Sequence, residues 1–304
     1  MIEQVATTAR QDTSNVVAPQ ISHWRTRRAS EARARLLTIV VLLIGTLIIL
    51  FPFAWMLSTA VNEQADLYLY PPEWIPNPVR YQNFGDALSL VPFWTFARNS
   101  AIVVGGVMFG TLLSCSWAAY GFARLRAPGR DFIFLLLLTT LMLPTTVTLV
   151  PTYIVFNKLD WLNSFKPLIV PSFFGTPFYI FLLRQFYLSI PKELEESARL
   201  DGATSYRIWW SIMIPLSKPV LATVAVFTFF ATYNDFFGPL IYLSDESKQT
   251  LAVALHYFAG SPDAGPQLHL LMAMAVMATV PSLIMFLIAQ RFFVQSIMTT
   301  GLKG

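Results

Sequence analysis

An all-α membrane protein that crosses the bilayer about six times is the fold class predicted by three observations. Of 304 residues, 55% are hydrophobic and only 12% are charged, whereas an ordinary soluble domain carries about a quarter charged residues. The apolar residues gather in six runs, each near the roughly 20 residues that a helix needs to cross about 30 Å of hydrocarbon. Lys and Arg sit beside these runs and form no extended basic face, a placement that fits membrane topology and not a nucleic-acid surface. The length would allow about two soluble domains, but apolar runs recur from Leu36 to Val294 and leave no room for a separate water-soluble core. One membrane domain with short tails is the simpler arrangement.

Taken in order, residues 1–35 form a tail in which Arg25, Arg27, Arg28, Arg33 and Arg35 precede the first span, Leu36 to Leu57. That run is longer than a signal-peptide core and lacks a small-residue cleavage site, so it is expected to stay as an anchor. Ser58 to Phe96 is too polar to insert, with Pro71, Pro72, Pro76 and Pro78 close together; it reads as an extended outer loop. The second span, Ala97 to Ala123, contains the single cysteine, Cys115, between Ser114 and Ser116. Without an intrachain disulfide partner, Cys115 reads as a small packing residue. The third span, Phe132 to Phe156, and the fourth, Pro167 to Tyr187, carry Pro144, Pro151, Pro171 and Pro177. Each removes a backbone donor that lipid cannot replace, so these helices should be kinked and packed on protein. The fifth span is Val220 to Leu243 and the sixth Leu268 to Val294, followed by a tail over residues 295–304.

Charge sets the expected orientation. The N-terminal arginines, then Arg124, Arg126 and Arg130, then Lys192, Arg199, Arg207 and Lys218, and finally Arg291 and Lys303 all fall on one side. By the positive-inside rule that side is the cytoplasm, and both termini lie there. The opposite loops carry Glu63, Asp66, Glu73, Asp86, Asp160, Asp245, Glu246 and Asp263, and Trp55, Trp94 and Trp161 stand where an outer aromatic belt would be.

Between Ile190 and Lys218 eight charged residues interrupt the apolar pattern: Lys192, Glu193, Glu195, Glu196, Arg199, Asp201, Arg207 and Lys218. Even six of them at mid-bilayer would cost roughly 15 kcal/mol, at about 2.5 kcal/mol each, so this stretch stays outside the hydrocarbon. Its local grammar is helix, turn, helix. Pro191 suits a first helical turn, and Glu193, Glu195 and Glu196 favour the positive end of the helix dipole. Gly202 suits the left-handed residue that ends a helix, and Thr204 can cap the next one. Leu194 and Ala198 share one face, while Ile208, Ile212, Trp209 and Trp210 supply a second apolar surface, the chain returning to the membrane at Pro215. An amphipathic interfacial hairpin and a partner-docking loop both satisfy this pattern.

The string Glu196-Ser197-Ala198-Arg199-Leu200-Asp201-Gly202, followed after nine residues by Ile212-Met213-Ile214-Pro215, closely resembles the EAA loop of permease subunits in binding-protein-dependent ABC importers. Ser197 stands for the motif's second alanine and Ile214 for its leucine. Leu141 to Tyr153, Phe181 to Phe186, Asn234-Asp235-Phe236, Gln290-Arg291-Phe292-Phe293-Val294 and the ending Thr300-Gly301-Leu302-Lys303-Gly304 extend the likeness to the carbohydrate-uptake branch, specifically its maltose-permease-like smaller subunit. The resemblance implies a type I ABC importer transmembrane fold in the prokaryotic inner membrane. It also implies a second permease subunit, two cytoplasmic ATPase subunits and an extracytoplasmic sugar-binding protein, with this chain supplying half of the pathway by alternating access. The carried-over docking residues are Glu196, Ser197, Ala198, Asp201, Gly202, Ala203, Ile212, Ile214 and Pro215, which would form the coupling helix and its supports. Gly301, Lys303 and Gly304 become candidate C-terminal contacts with the ATPase.

No GxxxxGK[ST] phosphate loop occurs, so nucleotide is not cradled here in the P-loop manner; ATP and Mg are expected on the partner ATPase, and this chain is expected to bind no cofactor of its own. His23, His256 and His269 are too scattered for a metal site, and no serine, histidine and acid grouping has catalytic spacing. Catalysis within the chain is therefore not expected. Asn234 and Asp235 are candidate pathway or gate residues, although helix termination beside Gly238 and Pro239 also accounts for Asp235. Arg184 is expected to snorkel to the interface. An ion-gradient-driven secondary transporter is the alternative class; it would need a coupling carboxylate near a span midpoint, and none stands out.

Overall fold

A computed structural model describes residues 21–68, 70, 74–260 and 267–301, and among these every regular element is helical. The chain divides into two units at Trp55 and Met56. The first is most of α1 (Ile21–Ala60), a single helix whose side chains from Leu36 to Leu50 are exposed almost throughout. An exposed row of Leu, Ile and Val is intelligible only if lipid or another apolar chain surrounds it.

The second unit contains α2 (Gln82–Leu90), α3 (Phe93–Arg124), α4 (Arg130–Thr139), α5 (Thr145–Lys158), α6 (Lys166–Ile169) and α7 (Pro177–Ser189). The short helices α8 (Glu193–Leu200), α9 (Ser205–Ile208) and α10 (Ile214–Leu216) precede α11 (Lys218–Tyr233), α12 (Phe237–Tyr242), α13 (Leu251–Gly260) and α14 (Leu268–Gly301). The central strut is α3. Its buried residues Phe93, Phe96, Ser100, Val103, Thr111, Cys115, Ala119 and Ala123 stand mostly three or four positions apart, the stripe of a helix covered along one side. Helices α7 and α11, with the turn Val170–Phe174, pack on it. Close approach of that turn demands small residues: a Cβ on Gly110 would stand 2.2 Å from Ser172 Oγ, and one on Gly106 would stand 2.8 Å from Ile169.

Among the described residues four segments are long and apolar enough to cross a membrane: Arg33–Ala60, Phe93–Arg124, Lys166–Ser189 and Leu268–Gln290. Two bent pairs, Arg130–Met142 with Thr146–Lys158 at 104° and Ser205–Leu216 with Lys218–Tyr233 at 80°, raise the number to as many as six if each is counted as one span. Pro144, Pro171 and Pro177 sit at breaks, where a missing N–H is tolerated, whereas Pro151 lies inside α5, Pro52 inside α1 and Pro281 inside α14. Pro144 precedes α5 at the sharper bend, Pro171 lies in the Val170–Phe174 turn, and Pro177 opens α7 after Gly175, whose φ is +87°. Cys115 is buried there and its sulfur accepts the Thr176 N–H at 3.2 Å, so it both fills space and satisfies a freed donor.

Several boundaries differ from expectation. The segment Ser58 to Phe96 is not simply extended: α2 lies within it, and α3 begins at Phe93. The fifth span, expected to reach Leu243, stops at Tyr233, because Asp235 Oδ1 accepts the N–H groups of Phe237 and Gly238 at 3.1 Å and starts the separate helix α12. Helix α13 was not foreseen, since a mostly apolar run of ten residues is too short to span and its packing depends on α3 and α14.

Two cores occupy opposite ends of α3. One joins Cys115, Ala119, Tyr120 and Ala123 to Leu183 and Tyr187 of α7, Ile208, Trp209 and Met213 of the charged loop, and Val224. The other joins Phe93 and Phe96 to Ala60, Ala87, Leu251, Met274 and Ala278. At that second end, Asn99 Nδ2 donates to the carbonyls of Ser247 and Gln249 at 2.9 Å, and Asn83 Nδ2 to those of Ala60 and Asn62 at 3.0 and 2.8 Å. There Asp245 caps a short turn, and hydrogen bonds from the Ser247 hydroxyl and N–H hold its carboxyl below the usual range.

Candidate partner-docking site

The charged loop is a rooted hairpin of short helices. Helix α8 begins after Lys192 with Glu193, Glu195 and Glu196 in its first turn, where the helix dipole favours carboxylates. Pro191 therefore stands before the helix and not within its first turn. The helix closes on Gly202, at φ +80°: the Gly202 N–H donates to the Arg199 carbonyl at 3.0 Å and the Ala203 N–H to the Ala198 carbonyl at 2.9 Å. That double bond pattern is the Schellman motif, which needs a left-handed residue at the glycine position. Thr204 Oγ1 then accepts the Arg207 N–H at 3.3 Å and caps α9. The helix widens into a π turn at Trp209–Met213, continues through α10, and bends into α11 at Ser217, whose buried hydroxyl bonds the Met213 carbonyl at 2.7 Å.

The loop has a clear inside and outside. Ala198, Ala203, Ile212 and Ile214 are half-buried against the first core, while Glu196, Ser197, Asp201, Gly202 and Pro215 are exposed. Leu200 is 90% exposed at the tip. The tip thus presents a large apolar side chain on a capped, charged helix.

The anchor is polar, and the sequence did not announce it. Glu195, not Leu194, faces inward with Ala198. Its Oε2 lies 3.8 Å from Arg124 Nε, and its Oε1 accepts from Tyr120 Oη at 3.2 Å and from Arg199 Nη2 at 2.8 Å. Arg124 Nη2 donates to the Tyr187 carbonyl at 2.6 Å and to the Ile190 carbonyl, so the last turn of α7 is held by the same guanidinium. The Glu195 carboxylate beside Arg199 pushes that guanidinium still higher than its ordinary value. An open cavity of about 890 Å³ adjoins the cluster, lined also by Arg126, Arg130, Lys192 and Glu196. Arg124 had been legible only as one more interfacial cation, and Glu195 as one of three solvated acids. Arg184 reaches the same end but does not simply seek water: it lies 4.3 Å over the Phe134 ring, donates to the Phe122 carbonyl at 3.2 Å and stands 3.8 Å from Asp131.

The other sequence candidates are not brought to this site. Asn234 and Asp235 lie beyond the far end of α11, about 24 Å of helix away at 1.5 Å per residue. Asn234 Nδ2 bonds the Phe230 carbonyl at 3.0 Å and Asp235 starts α12, both local duties. Gly301 is the last residue of α14, and Lys303 and Gly304 lie outside the described residues. Among the described residues no group of three or more His, Cys, Asp or Glu could hold a metal ion.

Residues 106–298, covering the packed helices and the loop alike, match the family described as binding-protein-dependent transport system inner membrane component. The chain belongs to this family. The permease is 33% identical over 264 residues to the sn-glycerol-3-phosphate transport system permease protein UgpE of Yersinia enterocolitica, covering 85% of this chain and 94% of that one. It is 34% identical over 217 residues to the arabinooligosaccharides transport system permease protein AraQ of Halalkalibacterium halodurans, covering 70% and 75%. Its fold matches a chain in the crystal structure of a bacterial ABC transporter involved in the import of the acidic polysaccharide alginate, with a TM-score of 0.77, 24% identity, and coverage of 87% and 98%. This permease is thus a multi-pass inner-membrane transport component with the type I importer fold.

Proposed function

We propose that the permease forms half of the translocation pathway of an ATP-driven carbohydrate importer and that the loop Ile190–Lys218 docks a cytoplasmic ATPase subunit. The observation that carries the docking is the tip: Leu200 and Gly202 project from a helix whose opposite face is rooted by Glu195 on α3 and α7. The positive-inside distribution of Lys and Arg supports a cytoplasmic position for that tip and both termini. The loop is joined to α7 by residues 190–192 and to α11 through the bend at Ser217. Movement of the docked tip would therefore turn the ends of two spans and exchange inward-open for outward-open forms. In this reading a second permease subunit supplies the other half and two separate ATPase subunits bind ATP and Mg, while delivery of the cargo by an extracytoplasmic binding protein is what the family description supports. Relatives named for a glycerol phosphate and for arabinooligosaccharides support a polyhydroxylated cargo, an oligosaccharide, disaccharide or polyol. Gly301 to Gly304 would add a C-terminal contact with the ATPase.

The test is purification of the assembled complex, a ligand screen on its binding protein, and ATP hydrolysis with that protein loaded or empty. Hydrolysis stimulated only by the loaded binding protein is expected. Uptake by this chain without an ATPase would establish the ion-gradient alternative and overturn the proposal.

A further inference from the structure

Arg124 stands where three elements meet that are far apart in sequence: the end of α3, the end of α7 and the root of α8. Its side chain is only 3% exposed and that of Glu195 11%. Two kinds of partner hold it. The carbonyls of Tyr187 and Ile190 tie it to α7, a task any cation at a helix C-terminus performs. The Glu195 carboxylate does something different, because it belongs to the loop and α3 has no chain connection to that loop nearer than α7.

We propose that the Arg124–Glu195 pair, steadied by Tyr120, is the joint that makes the docking loop and the adjoining ends of α3 and α7 move as one body. Both are positioning residues, and the proposal rests on the docking of this loop by an ATPase. Apolar neighbours also bridge the loop to α3, with the Trp117 and Trp209 rings 4.9 Å apart. Such contacts tolerate sliding, since dispersion and burial carry little direction. A buried charge pair does not slide, because separation leaves each charge uncompensated in a medium of low dielectric constant. Each partner also has two hydrogen bonds of its own, Arg124 to the carbonyls and Glu195 from Tyr120 and Arg199, and between them they make a 3.8 Å ion pair. Deleting the Glu195 charge leaves Arg124 with carbonyls alone, so α7 stays capped while the loop is released. That asymmetry separates a joint from a mere cap.

The experiment uses the assembled complex with its binding protein and ATPase. The wild type is measured first, because a wild-type complex without stimulated hydrolysis would refute the docking reading and not the joint. Given stimulation, Glu195→Gln is expected to keep assembly and basal hydrolysis within about twofold. It should lower the stimulated-to-basal ratio and the substrate moved per ATP about tenfold, within the usual range of inter-site coupling. The double variant Arg124→Gln/Glu195→Gln should be no worse coupled than the more impaired single variant, the non-additivity of residues acting as a unit. Tyr120→Phe keeps the pair and removes only its brace, so a loss of about two- to threefold is expected, and it decides the matter if Glu195→Gln does not assemble. In a Cys115→Ala background, spin labels at the exposed positions 188 and 207, neither of them among the docking residues, should keep one separation with and without trapped nucleotide in the otherwise wild-type complex and acquire two in Glu195→Gln. Wild-type coupling in Glu195→Gln and Tyr120→Phe, losses that multiply in the double variant, or a wild-type label distance that changes with nucleotide would each overturn the joint.

Discussion

Gly202 allows the folding and docking roles of one residue to be separated by size of substitution. At φ +80° it occupies a backbone region that costs an L-residue roughly 1–2 kcal/mol, and no atom lies within 4 Å of where its Cβ would stand. In the isolated permease, Gly202→Ala and Gly202→Gln should therefore both lose about that amount, and Gly202→Asn less, because only the backbone conformation is penalised. If an ATPase surface closes over the turn, the larger side chain meets a second penalty of about 1–3 kcal/mol, the cost typical of overfilling a packed space. Thermal unfolding of the solubilised permease and titration of the ATPase subunit onto it read the two terms separately. Equal destabilisation by Ala and Gln is expected in the first assay. In the second, Gln should bind about 5- to 150-fold more weakly than Ala, at about 1.4 kcal/mol per tenfold. Equal binding by Ala and Gln would refute a close approach at Gly202 and with it the docking geometry.

Three further outcomes are open to measurement. Leu200→Ala should leave the permease's melting unchanged, because the side chain is 90% exposed. It should weaken ATPase binding by up to about 1.5–3 kcal/mol, the burial value of a leucine, and unchanged affinity would remove Leu200 from the interface. Gly110→Val should destabilise the permease by about 1–3 kcal/mol, since even a Cβ there would stand 2.2 Å from Ser172 Oγ, while Gly105→Ala, with nothing within 4 Å, should be neutral or slightly stabilising; thermal scans that rank the two variants in the reverse order would contradict the close packing of α3. Asp235→Asn keeps an acceptor for the Phe237 and Gly238 N–H groups and should transport as the wild type does, whereas Asp235→Ala should lose about 1 kcal/mol as a removed cap does. Abolished uptake in an intact Asp235→Asn complex would instead mark a pathway carboxylate.

Local chemistry carried much of this protein. Run length was enough to mark the candidate membrane-crossing segments, four unbroken helices and two bent pairs among the described residues, because insertion is decided segment by segment by hydrophobicity. Gly202 and Thr204 were legible as helix stop and start, because caps depend on a few consecutive residues. The breaks at Pro144, Pro171 and Pro177 follow from a missing N–H. Tertiary structure decided what depends on distant partners. The fifth span ends at Tyr233 because a carboxylate two residues on bonds the following backbone, which hydropathy averages away. Helix α13 is helical in the company of α3 and α14. The inward turn of Glu195 is the plainest case: on a charged, exposed helix an acid reads as solvated until Arg124 and Tyr120, 71 and 75 residues earlier, are folded against it. A side chain's environment is set by what packs on it, and no pattern within Glu193–Leu200 records that an arginine waits there.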